Sequence, residues 1–317
     1  MKNAFTGPKW TALLWGALCV PAFAHTLVAP PYQPRVIVLT AFPPEFHFWQ
    51  ATHSFRHVLT IPGLTRPMIC NRSKTCVVET GEGEINAAVS VTALVRDGAL
   101  DCQQTLFIRS GIAGGVRNKT ALGSVYLANW IVSWGFGHHY LNESGHLEWS
   151  PPKPPYTNNP WDTLAYAISP SLLQSAYRAT SHLALANNPK VRVLDTSLGL
   201  QHTPHVYLGA NVSGDDFWIG RQNERIAKEI VHLYTHNKAH YATTAMEDLG
   251  DIGALAAFGL QAHYLSVRAV SDIDVPPPAT SVRGIIKKGD EYAGQLAAKN
   301  AFLVTRQIIS RLSQEYP

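Results

Sequence analysis

The chain has 317 residues, of which 46% are hydrophobic and 15% charged, and its formal net charge at pH 7 is +4. This composition, without low-complexity segments or internal repeats, is that of a globular protein long enough to bury one full core. The small net charge and the scattered Lys and Arg residues exclude a nucleic-acid partner recognised through runs of positive charge.

The N-terminus has the pattern of an export signal. Lys2 and Lys9 precede an apolar stretch that ends in the signal-peptidase pattern Ala-Phe-Ala before His25. We therefore expect residues 1–24 to be a signal peptide and the mature chain to be periplasmic or secreted. No other segment approaches the roughly 20 apolar residues that a spanning helix needs, so no membrane span is expected in the mature chain.

Three cysteines follow the predicted cleavage site. Cys70 and Cys76 flank a short polar loop, and an oxidising compartment would permit a bridge between them, worth about 2 kcal/mol in the chain-entropy model. The sequence does not decide whether this bridge forms. Cys102 has no partner left and is expected to be a buried thiol.

Strand-like and helix-like segments alternate along the chain. Short β-branched runs predict strands at 34–40 and 76–80, and a helix-compatible segment follows at 84–95. A third strand is predicted at 104–109, ending in a glycine-rich turn, SGIAGG. Further strands are predicted at 191–195, 205–212, 240–245 and 263–270, and further helices at 223–234 and 291–312. The alternation argues for an α/β sandwich around a largely parallel or mixed sheet.

The stretch from about 133 to 160 interrupts this alternation. It contains GFGHHY and the proline-rich SPPKPPYTNNP, and we interpret it as a surface insertion that could act as a lid. His138 and His139 are adjacent, but no other metal ligand stands at a supporting spacing. No metal site is therefore predicted.

Three carboxylates, Glu247, Asp248 and Asp251, open a segment that is otherwise almost wholly apolar. One or two acidic residues suit a helix N-terminus, where they cap backbone N–H groups and complement the dipole. The third indicates a functional role. Polar residues and glycines also follow other predicted strands, in AFPPEF, RSGIAGG, NVSGDDFW and VRAVSDID, and strand ends are where open α/β sheets bind ligands.

The ordered motifs GEGEINAAVSVTAL, IRSGIAGG, VSGDDF, AMED and RAVSD resemble those of the nucleoside phosphorylase and nucleosidase superfamily, whose members cleave the N-glycosidic bond of nucleosides. The resemblance runs from about Val36 to the final helix. It is greatest to the purine nucleoside permease branch, whose members carry an export signal and a similar cysteine pair. It implies a three-layer α/β sandwich with a central mixed sheet, so that residues 25–317 form one nucleoside phosphorylase-like domain.

The resemblance also implies roles for the acidic segment. Met246 and Glu247 match a pair in which the carboxylate binds the ribose hydroxyls, each such bond being worth about 1.5–3 kcal/mol. The same negative charge would stabilise a sugar that becomes cationic in the transition state. Asp248 and Asp251 are then expected to serve as cap and dipole residues of the helix.

The base end of the implied site involves two further motifs. Asp272 matches the acid that protonates the purine N7, a contribution of roughly 10²–10⁴ in rate, and Ser271 would orient its carboxyl. Asp274 matches no family role and is expected to be a turn residue ahead of three prolines. Ser213 and Phe217 fall in the SGDxF segment, whose aromatic ring packs on the base.

The attacking nucleophile is not decided by the sequence. Glu45 matches the carboxylate that activates water in nucleosidases, which favours hydrolysis. Arg109 occupies the position of a phosphate-binding arginine in phosphorylases, so phosphate could be a co-substrate. Ile112 stands where both branches generally have Ser or Thr. Hydrolysis, phosphorolysis and binding without catalysis all stay open.

The expected function is cleavage of purine nucleosides by an exported protein that needs no metal or cofactor. The alternative is a non-catalytic nucleoside-binding protein that acts in uptake with a membrane transport partner, since a chain without spanning helices cannot form a channel alone. Homo-oligomers are usual in the resembling family. The preferred base and the oligomeric state are left open.

Overall fold

A mixed sheet of ten strands forms the centre of the described part of the chain. The computed structural model describes residues 30–117, 120–145, 147–150, 164–275 and 292–315. The predicted signal peptide and the proline-rich part of the insertion lie outside these residues. From Pro31 onward the chain forms one compact unit. None of the described helices is long and apolar enough to cross a membrane.

The strands of this sheet are β1 (Val36–Thr40), β2 (His57–Leu59), β3 (Met68–Cys70), β4 (Thr75–Glu79), β5 (Leu106–Gly115), β6 (Val125–Ser133), β9 (Ala165–Ala167), β10 (Val206–Ser213), β11 (Tyr241–Ala245) and β12 (Tyr264–Ile273). Strands β7 (His138–Leu141) and β8 (Leu147–Ser150) form a separate antiparallel hairpin. The helices are α1 (Pro43–Gln50), α2 (Glu84–Arg96), α3 (Pro170–Thr180), α4 (Pro189–Leu198), α5 (Arg221–Tyr234), α6 (Asp248–Ala257) and α7 (Gly294–Glu315). The prediction of an α/β fold around a large mixed sheet is confirmed.

The order of the strands is β11-β10-β6-β12-β5-β1-β4-β3-β2, with β9 added to β6. Strand β5 is parallel to β1 on one side and to β12 on the other. At its end, Gly114 and Gly115 pair antiparallel with Thr244 and Thr243 of β11. This pairing closes a barrel of five strands, β5, β12, β6, β10 and β11. The ends of β5, β11 and β12 meet there.

The predicted glycine-rich turn after residue 109 is wrong. SGIAGG continues β5 to Gly115, because its backbone pairs with β12 along the whole segment. Glycine is tolerated in the middle of a sheet where another group must approach the backbone closely. Side chains of the neighbouring strands make that approach here, as described below.

The strand predicted at 191–195 is also wrong, because this segment lies in α4. The β-branched run VRV suggested a strand, but local end signals favour a helix. The Asn188 side chain accepts a hydrogen bond from the Lys190 amide, and Pro189 occupies the first turn. Gly199 ends the helix with a left-handed φ of 66°.

The insertion contains the β7–β8 hairpin, and stacked indole rings attach it to the rest of the molecule. Trp149 of β8 stacks on Trp134, with ring centroids 5.0 Å apart. Trp134 stacks in turn on Trp218 at 4.6 Å. Trp218 follows Phe217 directly, so Trp134 links the hairpin to the loop after β10. A role as a lid stays a prediction.

Cys70 and Cys76 form a disulfide across the β3–β4 hairpin. The pair that the sequence left undecided is therefore bridged. Cys102 is a buried free thiol, as expected. The bridge lies towards the β2 edge of the sheet, away from the strand ends that carry the conspicuous polar residues.

Candidate active site

Two buried arginines, Arg109 on β5 and Arg268 on β12, are each paired with carboxylates from the start of α6. Arg109 forms a bidentate pair with Asp251, in which Nε and Nη2 each lie 2.7 Å from a carboxylate oxygen. Nε of Arg268 donates to Asp248 over 2.7 Å, and its Nη2 donates to Glu247 over 2.8 Å. We call these five residues, together with Glu45, the arginine cluster.

The expectation that Asp248 and Asp251 cap the helix is wrong, whereas their expected place at its N-terminal dipole is confirmed. Both lie in the first turn of α6, but neither side chain caps it. Both are fully buried against arginines. A buried ion needs a partner of opposite charge, since desolvation costs several kcal/mol per ion. The run of carboxylates thus balances two arginines that the fold buries beside it.

Arg109 is not open to a ligand in this arrangement. Its side chain is fully buried, and Nη1 and Nη2 also lie 3.1 Å from the Thr80 hydroxyl. Asp251 occupies the fork that phosphate would need. Binding of phosphate by Arg109 stays a prediction, and this geometry opposes it.

Glu45 connects the end of β1 to the end of β5. It lies in the first turn of α1, where Pro43 favours the helical start. Its carboxylate accepts hydrogen bonds from the amides of Ala41 at 2.7 Å and Ile112 at 2.8 Å. Burial, and then the charge of Glu247, raise the pKa of Glu45 to about 7 against the opposing effect of Arg268.

Gly111 is required for Glu45 and Arg268 to approach each other. A Cβ atom at Gly111 would lie 2.7 Å both from Oε1 of Glu45 and from Nη1 of Arg268. Nη1 of Arg268 also donates to the carbonyl of Ile112 over 3.0 Å. The backbone of β5 therefore passes directly beside the two charged groups.

Glu247 and Ser213 lie at the same strand ends. Glu247 is buried just before α6, and Met246 before it is half-buried. The buried Ser213 hydroxyl donates to Glu84 over 3.1 Å and accepts from the Leu249 amide at 3.0 Å. Ser213 therefore ties β10 to two helix starts, and its contact with a ligand stays a prediction.

Phe217 is 54% exposed in the loop after β10. A role as a core aromatic is excluded, and a ring with a free face is what stacking on a base requires. Asp215 of the same loop accepts a hydrogen bond of 2.6 Å from the Glu84 amide. The loop that carries Phe217 is therefore fastened to the start of α2.

At the end of β12, Asp272 and Asp274 form what we call the acid pair. Asp272 is half-buried, and the Ser271 hydroxyl donates to it over 2.9 Å. An orienting role of Ser271 in a reaction stays a prediction. Asp274 lies at a bend directly after β12, which agrees with the expected turn position. Asp274 is buried and accepts from the Thr244 hydroxyl at 2.8 Å and from the Tyr241 hydroxyl.

Sequence reasoning missed Arg268, Glu84 and the burial of Asp274. Burial above all raises the pKa of Glu84 to about 7, although Ser213 opposes the shift. The signal for Arg268 was present, since it is the single charged residue in the apolar run of β12 before the acid pair. A lone charged residue in a buried strand predicts a buried partner of opposite charge. The carboxylates at the start of α6 are that partner.

In the described part of the chain, no group of three or more His, Cys, Asp or Glu side chains is placed to hold a metal ion. The site consists instead of buried carboxylates, two arginines and an exposed aromatic ring at the ends of β1, β5, β10, β11 and β12. An α/β sheet with such groups at its strand ends is the arrangement that the nucleoside phosphorylase and nucleosidase class was expected to show.

Comparison with known proteins identifies the class and then the family. A solved 5′-methylthioadenosine/S-adenosylhomocysteine nucleosidase from S. pneumoniae, bound to a transition-state inhibitor, has a TM-score of 0.60 at 17% identity, covering 89% of this chain and 100% of that one. The fold is therefore that of the nucleosidases. The profile of the purine nucleoside permease (NUP) family matches residues 33–316, and the chain belongs to this family.

Two relatives illustrate the family. A purine nucleoside permease of Candida albicans is 31% identical over 274 residues, which cover 79% of this chain and 68% of the relative. A probable purine nucleoside permease of Schizosaccharomyces pombe is 28% identical over 314 residues, which cover 89% of each chain. The resemblance inferred from the motif order is confirmed.

Proposed function

We propose that the protein hydrolyses the N-glycosidic bond of purine nucleosides. The observation that carries this proposal is Glu45, a buried carboxyl with a pKa raised to about 7, beside Arg268 and Glu247 at the strand ends. A group with this pKa can take a proton from water at neutral pH and release it again. The family and the nucleosidase fold support a nucleoside as the ligand.

In the proposed reaction, positive charge develops on the sugar and negative charge on the base, and different residues stabilise each of them. Glu45 takes a proton from water, whose oxygen attacks C1′ of the sugar. Glu247 accepts hydrogen bonds from the ribose hydroxyls and stabilises the positive charge that develops on the sugar. The electrons of the broken C–N bond pass to the base, which takes a proton from Asp272 while Phe217 stacks on it. The products are ribose and free purine.

The charges of the arginine cluster favour water over phosphate. The guanidinium of Arg109 is engaged by Asp251, and that of Arg268 by Glu247 and Asp248. Four carboxyl groups therefore surround two guanidinium groups, which leaves no excess positive charge for a phosphate dianion. A neutral nucleophile meets no such electrostatic opposition.

A second candidate is nucleoside capture without cleavage, in support of uptake. The Candida albicans and Schizosaccharomyces pombe relatives are called purine nucleoside permeases, which favours this candidate. It would use the same pocket groups for binding and would require a membrane transport partner. We also propose export to the periplasm or cell exterior, from the signal-like residues 1–24, and assembly into a homo-oligomer.

The decisive experiment follows release of free base when the chain from His25 onward is incubated with inosine or adenosine, with and without phosphate. Release without phosphate is the expected result. The variant Glu45→Gln keeps the shape of the side chain but cannot take the proton, so release should fall roughly 10²-fold or more. Glu229→Gln, on the exposed face of α5, is the matched control and should behave like the wild type.

Release of base only in the presence of phosphate would contradict water as the nucleophile. It would also support Arg109 as a phosphate-binding residue. If calorimetry shows nucleoside binding but no base appears under either condition, the capture function is favoured. Equal rates for Glu45→Gln and wild type would remove Glu45 from the mechanism.

A further inference from the structure

Gly114, next to the last residue of β5, makes room for the acid pair. A Cβ atom at Gly114 would lie 2.3 Å from Oδ1 of Asp274, 2.6 Å from Oγ1 of Thr244 and 3.3 Å from Oδ1 of Asp272. The carboxyl groups of Asp272 and Asp274 thus lie over the bare backbone of β5, next to Thr244 of β11. Any larger residue at this position would force the three groups apart.

A register shift between Val270 and Asp272 sets the direction of these side chains. Val270 pairs with Ala113 and Asp272 with Gly114, so that β12 carries one more residue than β5 over this span. Such bulges re-aim side chains and are common beside active sites. Both acids therefore face the same narrow space above Gly114.

Asp274 is held by hydroxyl groups. Tyr241 and Thr244 of β11 both donate to its carboxylate, and the ring of Tyr241 is buried. The titratable groups that act on Asp274 are Tyr241 from β11, Asp272 from β12 and Glu224 from α5. Burial, followed by the charge of Asp272, raises the pKa of Asp274 to about 7, while the two hydroxyls oppose the shift.

We propose that Asp274 is a positioning residue that couples to Asp272, so that the two carboxyl groups keep one shared proton at neutral pH. Two carboxyl groups in one confined space cannot both ionise freely, and they titrate as a unit. Asp272, which is half-buried, is the member that would deliver this proton to a base. The use of the proton in catalysis rests on the proposed function, but the coupling of the two acids does not.

A titration that needs neither ligand nor activity tests the coupling. Burial raises the pKa of Asp195 to about 6. In protein labelled with ¹³C at the Asp carboxyl carbons, we expect one further Asp resonance of the wild type to titrate near pH 7. It should be absent from Asp274→Asn, and in that variant the resonance of Asp272 should move to a lower titration midpoint. An Asp272 resonance with the same midpoint in wild type and Asp274→Asn overturns the proposal.

Two variants should shift the pH–rate profile in opposite directions. Asp274→Asn removes the neighbouring charge, so Asp272 loses its proton at lower pH and base release at pH 7 falls by about tenfold or more. The loss should shrink at pH 5. Tyr241→Phe removes a donor that stabilises the ionised pair, so the alkaline fall in rate should move about one pH unit upward.

A merely structural role for Asp274 would lower the rate equally at every pH, and that result would overturn the proposal. Asp216→Asn, in the exposed loop after β10, is the control for an Asp-to-Asn change. If the wild type releases no base at all, the proposed function fails while the carboxyl titration still decides the coupling.

Discussion

The arginine cluster and the acid pair both bury carboxyl groups at strand ends, but they stabilise them by different means. In the cluster, guanidinium groups lie 2.7–2.8 Å from carboxylates. In the acid pair, the described partners of Asp274 are hydroxyls and a second acid. A cation fixes the negative charge of its partner, whereas a hydroxyl allows the proton to return. The first region is suited to holding charge, and the second to exchanging a proton.

The largest expected effect is on stability, and it shows whether the buried carboxylates of the arginine cluster need their guanidinium partners. Arg268→Met leaves Asp248 and Glu247 buried without their main partner, so the free energy of unfolding should fall by about 3–5 kcal/mol. Denaturant unfolding measures this loss. Arg225→Met, on the exposed side of α5, should change stability by less than about 0.5 kcal/mol. Equal stability of the two variants would show that the cluster is not maintained by charge.

The second prediction concerns Glu45, whose pKa, like that of Asp274, is raised to about 7 mainly by burial. Because its folded pKa of about 7 exceeds the value of 4.5 for an exposed Glu, the folded state holds the extra proton between these pH values. This contribution to stability is complete below pH 4.5 and is lost as pH rises through 7, amounting to about 2–3 kcal/mol. Glu45→Gln lacks it. From pH 4.5 to 8, the wild type should lose that much stability relative to the variant, and parallel pH curves would contradict the shift.

The third prediction separates sugar binding from base binding. Glu247→Gln keeps the shape of the side chain but removes the charged acceptor, so calorimetry should show inosine binding weakened by about 10-fold to 100-fold. Hypoxanthine, which has no ribose, should lose less than about threefold. If both ligands lose affinity equally, Glu247 does not bind the sugar.

The smallest expected effect lies at the base end. Phe217→Ala removes the exposed ring and should weaken both nucleoside and free base by about 1–2 kcal/mol, since stacking does not involve the sugar. Phe136→Ala, which removes another exposed ring, is the control. A loss confined to the nucleoside would place Phe217 against the sugar and not the base.

Much of the fold was predictable because it depends on local patterns. Continuous apolar runs predict the strands at 34–40 and 263–270, and a helix-compatible pattern predicts the helix at 84–95. The structure contains them as β1, β12 and α2. The strand prediction for 191–195 is wrong because it depends on the β-branched run alone and ignores the capping residues on either side. Asn188 and Gly199, which bracket α4, were the better signal.

The site was less predictable, because its key contacts are long-range. The carboxylates of α6 were conspicuous, but their partner Arg109 is 142 positions from Asp251 in the chain. The glycines of SGIAGG suggest a turn, since nothing local indicates that distant side chains must lie against the backbone of this segment. The motif order identified the strand ends correctly. Which charged side chains pair with each other could be seen only in the three-dimensional fold.

The stacked indoles of Trp149, Trp134 and Trp218 give the molecule an internal optical reporter. Rings separated by 4.6–5.0 Å couple their electronic transitions, so they should produce a strong near-ultraviolet circular dichroism signal. Trp218 adjoins Phe217, and a purine stacked there should change both this signal and the tryptophan emission. Ligand occupancy can therefore be followed without a label, even for a compound that the protein never converts.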